Sequence, residues 1–242
     1  MKPHIPAIVL LSLLFAGCGD PEAEAAARAA AQAAAEERAA EEAERAFEAA
    51  LADGNWELAK AHGDLLLAKW PSSQAATRIA GRHAEASAKA REEAEARRLA
   101  ALWSYQSQPV KGGQQLSASI YAKQNLDVDG SGAKPVRLIF RDHPEWGRSS
   151  YLVLQAGDFA RACYGGCRVT VTADDGAPRK MAASRPKTDE AIAMFIEDEK
   201  ALWRLVRKAK VVKIAFATRD LGEKVAEFEV GGLDGSRMPG WD

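Results

Sequence analysis

The sequence predicts an α+β protein: a long Ala- and Glu-rich helical N-terminal region containing a helical hairpin, then an antiparallel β-rich, sandwich-like domain with one covering helix. Three observations predict it. Residues 21–45 are almost entirely Ala, Glu and Arg, which lose little entropy in a helix. Larger apolar residues then recur at helical spacing from Phe47 to about Trp103. Beyond Gln108-Pro109 apolar and polar residues alternate between Gly, Asp and Pro, the signature of strands and turns. Strands, one helix and strands again imply an antiparallel sheet with a helix over a face or an end. The formal net charge of −1 lacks the basic footprint of a nucleic-acid binder, so no nucleic-acid partner is expected.

The chain opens on Met1-Lys2-Pro3-His4, then an apolar run over 5–16, then Gly17-Cys18-Gly19-Asp20. That run is far shorter than the ~20 apolar residues a spanning helix needs, so residues 1–17 read as a secretory signal peptide. Its end, LLFAGC, resembles the bacterial lipobox, in which small residues precede a cysteine that becomes the lipidated N-terminus. The resemblance implies lipidation of Cys18, a membrane partner through that anchor, and a place in the cell envelope facing the periplasm. Each buried acyl CH₂ contributes ~0.8 kcal/mol, so several chains anchor stably. Gly19 rather than Asp follows the cysteine, which favours the outer membrane. Cleavage by ordinary signal peptidase, with Cys18 a bystander, is the alternative. By either route the chain reaches an oxidising compartment, where thiols pair.

Residues 18–46 hold no large apolar residue, which predicts a solvated helix or semi-rigid spacer behind the lipidated end. A coiled-coil strand is the rival reading, with only Ala at its seam. Over 47–108, Phe47, Leu51, Trp56, Ala59, Leu66, Leu67 and Trp70 form amphipathic helices. Gly54 ends the first, Asn55 caps the second and Pro71 stops it. GNWELAKAHGDLLLAKWPSS resembles the second helix of a tetratricopeptide repeat through Gly54, Trp56, Ala59, Leu67 and Pro71. A solenoid needs about three repeats, so a hairpin or three-helix unit is expected, its third helix running over 73–103 as a connector.

In the β-rich domain, 109–242, strands are expected near 116–122, 136–141, 151–154, 168–173, 211–217 and 225–230. One helix is expected over 189–208, with Ile192, Phe195, Ile196, Leu202, Leu205 and Val206 at helical spacing and Thr188 as its cap. VRLIFRDHPEWGRSSYLVL, CYGGCRVTVTADDG, AMFIEDEKALWRLVRKAKVVKIA and KVAEFEVGGL look like the blocks of an uncharacterised module of bacterial secreted proteins and lipoproteins. More distantly, their order resembles TagO (VasI), an accessory lipoprotein family of type VI secretion. The resemblance covers about 135–233; Arg141 is followed by Asp142 where TagO carries a cysteine.

Candidate chemistry is sparse. His4 leaves with the signal, and His62 and His83 lie on helices without a partner at ligand or catalytic spacing. RDHPEWGRSS gathers Arg141, Asp142, His143, Glu145, Arg148, Ser149 and Ser150 in one loop. Catalysis would need a nucleophile and base held by separate rigid elements. Pro144 and Gly147 instead shape a turn, and Trp146 is expected to cover the core edge. Asp127, Asp129 and Gly130 invite a calcium reading, but Lys134-Pro135 follow where a bidentate Glu is needed. ACYGGCR could be a redox site, half a metal site or a staple. No second Cys/His pair completes a zinc site, and the motif does not open a helix as a thioredoxin-type site does. Strand-like runs flank Tyr164-Gly165-Gly166, so a Cys163–Cys167 disulfide across a hairpin loop is expected. No cofactor and no metal are expected. These features predict a non-enzymatic, membrane-anchored envelope lipoprotein presenting a disulfide-stapled domain to an envelope protein or cell-wall partner. A periplasmic hydrolase using the Asp142-His143 loop and a type VI secretion accessory protein are the alternatives.

Overall fold

Caps and breakers in the sequence set the first three helices. The structure, a computed structural model, describes residues 20–186 and 192–241. Asp20 accepts a hydrogen bond from the Glu22 N–H, and Pro21 occupies the first turn, where its missing N–H costs nothing. Helix α1 then runs over Pro21–Ala52 and ends before Gly54, whose φ of 67° suits glycine. Asn55 caps α2, Trp56–Lys69, by accepting from the Leu58 N–H. Ser73 caps α3, Gln74–Ala101, by accepting from the Ala76 N–H.

The chain divides into two units, Met1–Ala90 and Arg91–Asp242. In the first, α1 and α2 form the expected hairpin, and α3 packs on it around Phe47, Leu66 and Ile79. The Glu37 carboxylate accepts from the Gln74 and Ala75 N–H groups, and Glu44–Arg78 and Glu48–Arg82 pair α1 with α3. The solvated spacer is therefore shorter than 18–46. Residues 20–36 are exposed, but Ala40 is fully buried and Ala43 packs against the core. Alanine needs no wide apolar stripe where helices approach closely.

In the second unit the strands are β1 Trp103–Val110, β2 Gly113–Tyr121, β3 Val136–His143, β4 Gly147–Leu154, β5 Cys167–Ala173, β6 Arg179–Ser184, β7 Ala193–Ile196, β8 Val212–Ala217 and β9 Glu223–Phe228. They form one antiparallel sheet in the order β1-β2-β3-β4-β7-β6-β5-β8-β9. Its two ends meet: the Lys123 N–H just past β2 donates to Glu227 O of β9 at 2.7 Å, and Trp103 Nε1 donates to Val230 O at 3.3 Å. The inner faces thus oppose each other across one core as in a sandwich, while all the strands belong to a single rolled sheet.

Two further boundaries differ from expectation. Trp103–Gln108, expected at the end of the connector, opens the edge strand β1, and Pro109 lies inside it, where a missing donor is tolerated. The expected 189–208 helix is shorter. Its start lies outside the described residues, and Ala193–Ile196 is β7, paired to β4 and β6. Asp198 accepts from the Ala201 N–H and starts α4, Glu199–Val206, only there. The apolar residues of β7 fit both periods; sheet partners on both sides decide for the strand. Helix α4 buries Leu202, Trp203 and Val206, and Phe140 meets Trp203 and Trp241 edge-on at 5.0 and 5.4 Å.

Candidate functional site

Strands β3 and β4 pair from Val136↔Leu154 to His143↔Gly147. Strand alternation buries Leu138 and Phe140 in the core and turns Arg137, Ile139, Arg141 and His143 to the outer face. At the hairpin tip, His143 Nδ1 accepts from the Glu145 N–H at 3.1 Å and the Trp146 N–H at 3.3 Å. The imidazole, 5% exposed, lies flat on the indole of Trp146, with ring centroids 3.9 Å apart. Trp146 therefore does not cover the core edge: tied to His143, it stays outside and is 68% exposed. Asp142 faces the other way and pairs with Arg148 at 3.1 Å. Adjacent strand residues point to opposite faces, so Asp142 and His143 form no dyad. Ser150 donates to Ile196 O.

The outer face carries a different arrangement. The Arg141 guanidinium sits 5.4 Å from the ring centres of both Trp146 and Tyr151, and that of Arg137 sits 5.7 Å from Tyr121. Tyr151 touches Phe195 of β7 at 5.0 Å. The register sets these side chains in rows across the strands: Ser117, Arg141 and Ser149; Ser119, Ile139, Tyr151 and Phe195; Tyr121, Arg137 and Val153. Burial pushes the Tyr151 phenol up from its ordinary range, against the pull of Arg141 and Arg137. Among the described residues no carboxylate pairs with either guanidinium, and Arg141 Nε and Ser149 Oγ are buried without a hydrogen-bond partner. Sequence reasoning singled out Arg141 and Ser149 but missed Tyr121, Arg137, Tyr151 and Phe195. The readable signal was the alternation Arg137, Ile139, Arg141, His143, which puts both arginines on one side of a strand.

Cys163 and Cys167 form the expected disulfide, with Cα atoms 4.7 Å apart, although not across a hairpin. Cys163 lies in a 3₁₀ turn, Arg161–Gly165, and Gly166, at φ 97°, leads into β5. The neighbours of β5 are β6 and β8, so no strand precedes it across the loop. Cys163 O accepts instead from the Arg185 N–H at 2.9 Å. Arg185, 5% exposed, donates from Nε to Asp158 Oδ1 at 2.6 Å and from Nη1 to Pro186 O at 2.7 Å, and lies over Tyr164. Sequence reasoning missed this corner, whose residues lie far apart along the chain.

The other candidates are occupied locally. Asp127 Oδ1 accepts from the Asp129 and Gly130 N–H groups, and the Ser131 N–H holds the Asp129 carboxyl below its ordinary range. Among the described residues no cluster of metal-ligating side chains occurs. His83, without a partner by spacing, has one by packing: its Nε2 lies 2.8 Å from Asp64 Oδ1 on α2. Gly63 allows that approach, because a Cβ there would come within 2.3 Å of the imidazole. A groove of ≈ 330 Å³ beside β9 contains Lys123 and Lys213, both paired with Glu227. His4 and Cys18 lie outside the described residues.

By fold and site, then, this is an α+β protein whose rolled sheet carries a cationic, aromatic outer face. No family model matches the chain, nor does any curated protein. Among solved structures it is similar to invasion associated protein B from Bartonella henselae, at 18% identity over 54% of this chain and 84% of that one, with a TM-score of 0.36.

Proposed function

We propose that the protein is a lipid-anchored lipoprotein of the bacterial envelope, facing the periplasm from the outer membrane, and that its rolled-sheet domain is a non-enzymatic module for an envelope protein or cell-wall partner. The observation that carries the binding role is the outer face of β3 and β4. Two guanidiniums, Arg137 and Arg141, lie against the exposed rings of Tyr121 and Trp146, with no carboxylate pairing them among the described residues. Aromatic and arginine side chains dominate recognition surfaces because each combines apolar area with directed polarity. The geometry of His143 supports binding over hydrolysis, since its Nδ1 holds the turn and Asp142 faces away. The anchor rests on LLFAGC with Cys18. Replacing Cys18→Ser should move the protein from the outer-membrane fraction to the soluble periplasmic fraction on cell fractionation; unchanged membrane association defeats the anchor.

A further inference from the structure

The outer face narrows the class of ligand. Its strip along β3 begins with Tyr121 beside Arg137, passes Ile139 and Arg141, and ends with Trp146 stacked on His143. Six residues of strand separate Arg137 from His143, about 20 Å at strand rise. A small ion engages one end of such a strip, whereas an extended chain reaches both. Charge on the strip is sparse: Arg137 and Arg141 are about 13 Å apart by the same rise. Single-stranded nucleic acid would lay about six phosphates along 20 Å, against two guanidiniums, and strands of that kind are held by densely positive grooves. The rings set a further requirement. Trp146, with His143 and Arg141 against it, is still 68% exposed, and Tyr121, with Arg137 against it, 51%, so apolar ring surface remains for a ligand. Hydroxyls of Ser117 and Ser119 share the same face. A pyranose ring has a matching C–H face and a hydroxyl edge.

We infer that this face binds an acidic glycan strand, with sugar rings on Trp146 and Tyr121 and carboxylates meeting Arg137 and Arg141. The inference rests on the envelope location proposed above, where peptidoglycan supplies both parts: sugar rings in its strands and carboxylates on the peptide stems they carry. The test uses the exported full chain carrying Cys18→Ser, so that acyl chains contribute nothing, in co-sedimentation with purified peptidoglycan sacculi. Parallel arms replace the sacculi with phosphatidylglycerol vesicles or an oligo-dT strand. Binding to sacculi is expected to exceed both and to weaken as salt screens the carboxylate contacts. Trp146→Ala and Arg141→Ala should each raise the apparent Kd about tenfold. Arg141→Lys should fall between, because it keeps the charge and loses the planar stack. Lys213→Ala, on β8, should bind as the parent does. Circular dichroism confirms that each variant is folded, and Trp146 is exposed enough for its truncation to spare the core. Failure to pellet with sacculi, patch variants that pellet like the parent, or preference for vesicles or oligo-dT would each overturn the inference. A protein that fractionates with membranes yet ignores sacculi leaves the anchor standing; one that binds sacculi but never reaches the membrane does the reverse.

Discussion

At Asp158 one carboxylate accepts from two donors and faces a second guanidinium. Its Oδ1 accepts from Arg185 Nε at 2.6 Å and the Phe159 N–H at 2.8 Å, and its Oδ2 faces Arg219 at 3.7 Å. Arg185 is almost wholly buried, and a buried charge persists only when paired. Asp158→Ala removes a carboxylate from that buried charge and should therefore lower stability by up to about 3–5 kcal/mol, seen as a lower urea midpoint at constant slope. Arg219→Ala is the contrast: that side chain is 42% exposed, and its loss should cost under about 1 kcal/mol. Equal effects from the two would mean that burial is not what makes the pair matter. Residues 158, 185 and 219 meet only through the sheet, so no sequence window shows them together. Cys163 and Cys167 were legible because a disulfide over so short a span is a local object. His143 was legible as a turn residue because Pro144 and Gly147 bracket it. The outward position of Trp146 was not, since two N–H groups donated to His143 decide it.

Elements with strong periodicity and clear caps were legible; those held by their neighbours were not. The α1–α2 hairpin follows from Gly54, Asn55 and Pro71, and six strands follow from alternation. Strands β1 and β6 are rich in Ser, Gln, Arg and Lys, and form because pairing satisfies their backbone. For β7, an apolar run fitting both periods was resolved by β4 and β6. The helical unit adds electrostatics that spacing could not reveal. Arg78 holds the Glu44 carboxyl below its ordinary range, and Lys60, then His83, do the same for Asp64. A carboxyl depressed in the folded state stabilises above its unfolded pKa and loses that contribution as pH falls through the folded value. The helical unit should thus weaken as pH drops below about 4.5, the ordinary value for Glu44. Thermal melts followed by circular dichroism at pH 7 and pH 3 check this. Glu44→Gln should lower the melting temperature at pH 7 and flatten the acid dependence; an unaltered acid dependence would show that the pair with Arg78 contributes nothing.

At the scale of the molecule, the described residues form two cores with no buried residue in common. The helical core is mostly alanine, with Phe47, Leu66 and Ile79 as its large fully buried side chains. The sheet core holds Phe140, Phe159, Trp203, Phe216, Phe228 and Trp241. Apolar burial contributes about 25 cal/mol per Å², so side-chain size separates the two in stability before any polar contact is counted. Calorimetry of the full chain should therefore show two transitions, the helical unit melting first. Acid and Glu44→Gln should shift the lower one; Asp158→Ala and reduction of Cys163–Cys167 should shift the upper one. Soluble peptidoglycan fragments should raise only the upper transition, because a ligand stabilises the fold that carries its site, by an amount that grows with its concentration over Kd. A single transition whose calorimetric and van't Hoff enthalpies agree would show that the two cores unfold as one cooperative body. Fragments that raised the lower transition would place the glycan on the helices instead of on β3 and β4.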